Sequence, residues 1–298
     1  MHHPILMLSD GLAAVLENTF AQTFGTRSAQ HGEMVGSAAR LVMERLALSD
    51  ALYHDAEHTA LVALVAQDIL RGRRLRKDVS ADMWMHVMLA ALTHDIGYVR
   101  GACSGDRPDS FVIDEVGNAT ALPRGASDAA LAPYHVERSK IAVRERFLGH
   151  ALVDGERLAR AIELTRFPVP APANSYVADP ETGIVQAADL IGQLGDPLYL
   201  TKLNALFHEF AEIGLNDQLG YHSPADLAER YPSFFWSKVE PLIGHAVRDL
   251  EMTIEGRAWL GHLYAHVCVT EHHRQTLGPA IDRVELPRFE QSSDLHHA

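Results

Sequence analysis

Apolar residues recur at three- and four-residue spacing through Leu152 to Leu164, Leu200 to Gly214 and Phe234 to Leu250, which is the period of a helix with one face turned to a core. Val62 to Leu70 and Met83 to Leu92 are apolar-rich with few β-branched runs and read as helices as well. No stretch of strand length alternates apolar and polar residues between Gly or Asn turns, and neither internal repeats nor low-complexity tracts occur. The expected class is all-α. With 298 residues, 47% of them hydrophobic, the chain can bury a sizeable core, and residues 1–298 are read as a single helical domain.

Two stretches break the helical pattern. Gly101 to Pro133 is rich in Gly, Ser, Asp and Pro, and Phe167 to Gly183 contains Pro168-Val169-Pro170-Ala171-Pro172, so both are expected to be loops. The first exceeds the usual connection of about 4–6 residues, a length at which binding loops and lids become common.

Charge narrows the partners. Lys and Arg total 26 against 39 Asp and Glu, a formal net charge of -13, so the average surface repels a phosphate backbone and no nucleic-acid polymer is expected as a partner. The basic run Arg71, Arg73, Arg74, Arg76 and Lys77 follows an apolar helical stretch and is read as a solvated helix end. Two cysteines, Cys103 and Cys268, form no C-x-x-C pair, which argues against a disulfide framework or a thiolate zinc site and fits a reducing cytoplasm. Cys103 falls in the loop from Gly101, and nothing marks it as an activated thiolate. The start, Met1-His2-His3-Pro4-Ile5-Leu6-Met7, lacks a basic region before a long apolar core, and nowhere do about 18 apolar residues run together, so neither export nor membrane insertion is expected.

The 18 histidines matter where they stand beside carboxylates, since neutral imidazole and ionised Asp are natural ligands of divalent metals. His2, His3, His296 and His297 are terminal and are left aside. Tyr53-His54-Asp55-Ala56-Glu57-His58-Thr59 places two imidazoles four residues apart, on one face of a helix. Alone, such a pair reads rather as two surface histidines on an amphipathic helix, and only its context points to a metal. His94-Asp95 closes the apolar helix from Met83; adjacent side chains on a helix diverge by about 100°, so they can share one metal only at a helix end, which the following Gly97 allows. Asp189 is a lone carboxylate in the apolar run Ile184 to Ile191, costly to bury unless metal-bound or paired, for instance with Arg166.

Taken together, the order His58, His94-Asp95, Asp189 resembles the HD-domain superfamily of metal-dependent phosphohydrolases, a helical fold that gathers such residues around a divalent ion. Tyr53-His54-Asp55-x-x-His58-Thr59 is similar to the Y-H-N-x-x-H-A signature of class I 3′,5′-cyclic nucleotide phosphodiesterases, and Gln186-Ala187-Ala188-Asp189-Leu190, Glu209-Phe210-x-x-x-Gly214 and Val239-Glu240-Pro241-Leu242 follow in that family's order. The likeness covers roughly residues 50–250. It implies a phosphoric ester hydrolase that uses one or two divalent ions (Mg, Mn, Fe or Zn), with His58, His94, Asp95 and Asp189 as metal ligands, Asp95 bridging the ions, and His54 as the acid protonating the leaving oxygen, oriented by Asp55. His135, opening His135-x-x-x-Ser139, resembles a second-metal ligand of other HD proteins, or else donates to a metal-bound water.

This chain also departs from the phosphodiesterase pattern. Tyr98 stands where that family has a histidine three positions after the HD aspartate. Leu131-Ala132-Pro133-Tyr134-His135 lacks the glutamate of the L-E-N-H-H segment. Pro232 stands in place of the glutamine that hydrogen-bonds the purine, while Phe235 keeps the aromatic clamp position. Tyr98, Arg166 and Phe235 are the substrate-pocket candidates, and the expected partner is a small phosphoester. Two other readings carry over: a di-iron oxygenase, for which His150 is the next histidine, and a nucleotide-binding regulator without turnover. No phosphate-loop, dinucleotide or nucleophile-elbow motif competes.

Overall fold

The computed structural model describes residues 4–167 and 179–272. These are all-α apart from one antiparallel pair, β1 (Phe111–Val112) with β2 (Ala119–Thr120). At the centre lie α3 (Ala56–Arg74), α4 (Ala81–Thr93) and α7 (Pro180–Leu194), which pack on one another. Helix α4 is buried from Trp84 through Thr93, as expected of a helix apolar all round. Ser80 starts it by accepting the Met83 amide hydrogen, the usual work of a serine N-cap.

The other helices wrap this centre. The pair α1 (Pro4–Phe24) and α2 (Ala29–Leu46) packs along one side, and α5 (His135–Arg146) with α6 (Gly155–Glu163) along another. The remainder are α8 (Tyr199–Glu212), α9 (Leu215–Leu219), α10 (Pro224–Phe234), a π turn over Phe235–Val239, α11 (Glu240–Leu250) and α12 (Ile254–His272). Two glycines set the approaches that matter. A Cβ on Gly192 would lie 2.9 Å from the Val62 Cα, so α7 touches the backbone of α3 one turn from Asp189 and one turn from His58. A Cβ on Gly97 would lie 2.0 Å from the His135 carbonyl oxygen, so the turn after α4 rests directly on the start of α5.

Several sequence expectations need correction. The periodicity missed α1, α2 and α12, and it read Phe234 to Leu250 as one helix where the chain runs through a π turn between α10 and α11. Gly101 to Pro133 holds the small hairpin and a 3₁₀ helix over Asp128–Tyr134. Of the other expected loop, 168–178 lies outside the described residues, and its end is already helix: Asp179 accepts the Glu181 amide and Pro180 supplies a first-turn residue that needs no N–H partner. The four terminal histidines also lie outside the described residues.

The basic run is a solvated helix end only in part: Arg74, Arg76 and Lys77 are exposed, whereas Arg71 is half-buried and Arg73 buried. Arg73 is buried with its Nη1 3.6 Å from Asp249, Arg76 binds Asp249 at 2.9 Å, Arg71 binds Asp68 and Glu255, and Arg74 lies over the Phe24 ring. These cations tie α3 to α11 and α12. Cys103 is likewise buried, donates to the Arg138 carbonyl, and has its thiol pushed up to about 12, chiefly by burial. Among the described residues no helix is long and apolar enough to cross a membrane.

Candidate metal centre

Helix α3 supplies His58 from its first turn. The preceding Asp55 accepts the His58 amide hydrogen at 2.9 Å and so fixes the helix start. That is the role of Asp55, and not the orientation of His54. His94 caps the C-terminal end of α4, still with helical φ and ψ, and Asp95 already lies outside it, at φ -104° and ψ 5°. The helix ends between the two, so their side chains reach one point instead of diverging: His94 Nε2 lies 3.1 Å from Asp95 Oδ2. Asp189 arrives from α7, with Oδ1 3.4 Å from His58 Nε2 and 3.5 Å from His94 Nε2, and His58 Nε2 is 3.4 Å from Asp95 Oδ2. The ligand atoms of His58, His94 and Asp95 thus all lie within 4.8 Å of one another, and Asp189 reaches the two imidazoles from α7.

A divalent ion can be tested against this donor set. His58 Nε2, His94 Nε2 and Asp95 Oδ2 are buried and have no hydrogen-bond partner, although buried polar atoms are ordinarily satisfied. His94 Nδ1 lies 2.8 Å from the Ala91 carbonyl, to which it donates, leaving the Nε2 lone pair aimed into the cluster. Burial opposes charge on Asp189, yet the facing imidazoles of His58 and His94 hold it below the usual carboxylate range. Asp95 is lowered against burial by His94 first, then by His54 and His58. Two carboxylates and two imidazoles, with no thiolate, suit a divalent ion with oxygen and nitrogen preferences. The residues fit a metal. Asp189 makes no pair with Arg166, whose guanidinium binds Glu137 and Glu163 instead.

Around this cluster stand three aromatic residues. His135, at the start of α5, places Nε2 3.7 Å from Asp95 Oδ1, and its Nδ1 donates to the Ala132 carbonyl. Tyr98 packs against both His54 and His135, its ring centroid 4.8 Å from the first at 10° and 4.6 Å from the second at 26°. The two imidazoles also meet, with centroids 6.5 Å apart, so the three rings form one cluster. His54 Nδ1 is 2.5 Å from Glu209 Oε2, while Glu209 Oε1 accepts the amide hydrogens of Tyr53 and His54. Burial works against a charged His54, but Glu209 overcomes it and raises the imidazole to about 9. Sequence reasoning gave Glu209 no role of its own, although it opens Glu209-Phe210-x-x-x-Gly214; the structure brings it to His54.

His54, Asp95, Tyr98, His135, Arg166 and Asp189 all line one chamber of about 310 Å³. Phe235 does not. It is fully buried against Tyr231, Trp236 and Tyr264, and Phe234, one residue earlier, lines the chamber instead. One step along a helix turns a side chain by about 100°, so alignment by spacing through the π turn selected the wrong phenylalanine. His150 is exposed and accepts the Leu152 and Val153 amide hydrogens, which makes it a loop cap.

A family model described as Npun_R2479-like matches residues 3–273. No protein with a curated description and no solved structure matches the chain. The match spans most of the molecule, and the chain belongs to the Npun_R2479-like family.

Proposed function

We propose that this member of the Npun_R2479-like family is a metal-dependent phosphoric ester hydrolase of HD-domain type. The observation that carries the reading is the convergence of His58, His94, Asp95 and Asp189 with three ligand atoms left unpartnered. These four would hold the first ion, and Asp95 Oδ1 with His135 a second. Bound there, divalent metal lowers the pKa of water toward about 7 and neutralises charge growing on phosphoryl oxygens.

The chain's own residues do the rest. His54 stands in the same chamber, charged through Glu209, with Nε2 left to give its proton to the departing oxygen. Glu209 holds that ring by one carboxylate oxygen and ties the backbone of Tyr53 and His54 by the other, which fixes the tautomer and the direction of the proton. Tyr98 packs the ring from the side. The oxygenase reading needs more histidine at a second ion, and His150 is occupied as a loop cap. A regulator without turnover has no need of an acid held by a buried carboxylate.

Metal content and hydrolysis of cyclic nucleotides, nucleoside monophosphates and an aryl phosphodiester test the proposal. Asp95→Asn is expected to lose metal and turnover together. His54→Ala is expected to keep its metal and lose about 10²–10⁴-fold in turnover, the size of a positioned proton transfer. Equal metal loss in both variants overturns the roles, and hydrolysis indifferent to Asp95→Asn overturns the proposal.

A further inference from the structure

Beyond the His/Asp end, the chamber changes character. Its wall there includes Leu194, Leu206, Leu227, Phe210, Ile213 and Phe234, drawn from α7, α8, α10 and the turn after α8. Leu194, Leu206 and Leu227 are themselves buried. Polar groups in the same wall are already spent or reach solvent. Gln186 gives its amide hydrogen to the Leu164 carbonyl at 3.0 Å, Arg166 is paired with two glutamates, and Arg230 donates to the Leu219 and Gly220 carbonyls. Gln193 is half-buried and Gln218 exposed. Among the described lining residues away from the His/Asp end, the Tyr231 hydroxyl is the one buried side-chain polar atom without a hydrogen-bond partner.

A nucleobase carries several donors and acceptors on its edge. Buried in the leucine and phenylalanine part of this wall, each one left unpaired costs about 1–3 kcal/mol; there the Tyr231 hydroxyl stands alone, the amides of Gln193 and Gln218 lying where solvent reaches them. An alkyl or aryl group carries no such cost and gains from every methylene removed from water. The Pro232 position adds nothing polar, since that residue is buried within α10 and absent from the lining.

We infer that the chamber receives an apolar body, alkyl or aryl and not a nucleobase, whose anionic phosphoester end lies at the His54 and Asp95 side. This substrate class rests on the hydrolase reading above, while the apolar character of the chamber stands apart from it.

Calorimetric titration of the manganese-loaded full chain with alkylphosphonates from ethyl to decyl, and with adenosine monophosphate, separates the two. Affinity is expected to rise about fourfold per methylene until the chamber is full, with octylphosphonate tighter than the nucleotide. Leu206→Trp, which fills part of the space, should weaken octylphosphonate at least tenfold and leave ethylphosphonate unchanged; if that variant does not fold, the wild-type length series decides alone. An affinity independent of chain length, or tighter binding of the nucleotide, overturns the inference. Hydrolysis of a cyclic nucleotide with a flat length series removes the apolar body and leaves the hydrolase. A steep length series with no turnover of octyl or aryl phosphoesters removes the hydrolase and leaves the apolar chamber.

Discussion

The buried charges around Arg138 and those around Asp95 sit on adjoining pieces of chain, and they are satisfied in opposite ways. Arg138, wholly buried on α5, spends all five guanidinium donors: Nε on the Gly97 carbonyl, the two terminal nitrogens on Asp106 and on the carbonyls of Val112 and Val99. Asp106 in turn accepts amide hydrogens from Gly101, Cys103 and Val112. Every group is closed by another group of the chain, and the loop from Gly101 is thereby pinned to α5. At Asp95 two carboxylates and two histidines are brought together with their best ligand atoms facing one another and left open. The Arg138 cluster completes its hydrogen bonds, as buried polar groups ordinarily do, while the Asp95 cluster leaves His58 Nε2, His94 Nε2 and Asp95 Oδ2 without one.

The sharpest way to break this comparison is to remove one charge from each cluster. Asp189→Asn is expected to lower turnover about a thousandfold or more, because an ion worth several kcal/mol to the transition state loses a ligand. Its urea midpoint should move much less than that of a variant in the other cluster. Asp106→Ala should do the reverse: an unfolding free energy lower by about 3–5 kcal/mol, since a buried guanidinium is left uncompensated, with metal bound per folded molecule unchanged. Urea unfolding and elemental analysis on both variants decide. A destabilisation of equal size in the two would show that the Asp95 cluster is a structural ion-pair network after all.

A smaller effect probes the boundary between the clusters. Glu209 is buried and closes three hydrogen bonds, as a structural residue does, yet one of them goes to His54 in the chamber. Glu209→Gln preserves the acceptor oxygen for the backbone amides and removes the charge that holds His54 protonated. The expected result is a loss of about 10–100-fold in turnover, as for other residues that orient a reacting or ligating histidine, with full metal content. A steady-state assay beside elemental analysis reads both, and metal loss would place Glu209 on the structural side.

How much of this was legible in the sequence follows the same division. The helical class came from the three- and four-residue spacing through Leu152 to Leu164, Leu200 to Gly214 and Phe234 to Leu250, which α6, α8 and α11 largely cover, and from the apolar runs that became α3 and α4. That His58, His94, Asp95 and Asp189 would come together was legible from residue type and order, and the helix end expected before Gly97 falls at His94, ahead of Asp95. What was not legible depends on who meets whom. Arg138 reads as one more charge on a short helix, and only the folded loop supplies its five acceptors. The run from Arg71 to Lys77 reads as a solvated end, and its sequence does not show that α11 and α12 bring Asp249 and Glu255 to Arg71, Arg73 and Arg76 within it. Phe234 and Phe235 are the same residue type one position apart, and a π turn decides which faces the chamber.

The mildest test uses pH on the closed cluster alone. Burial works against the charge of Asp106, but its hydrogen bonds to Arg138 and that residue's charge hold the carboxyl below the usual carboxylate range. A group whose pKa is lower folded than unfolded contributes stability that is fully present above its unfolded value, about 3.9, and is lost as pH falls through the folded one. Urea unfolding of the wild type should therefore lose stability below about pH 4, through proton uptake by the unfolded chain. In Asp106→Asn that part of the slope should be missing, so the two curves converge as pH falls. Curves that stay parallel through this range would mean that the Arg138 cluster holds Asp106 by shape and not by charge, and the contrast with Asp95 would then rest on hydrogen bonding alone.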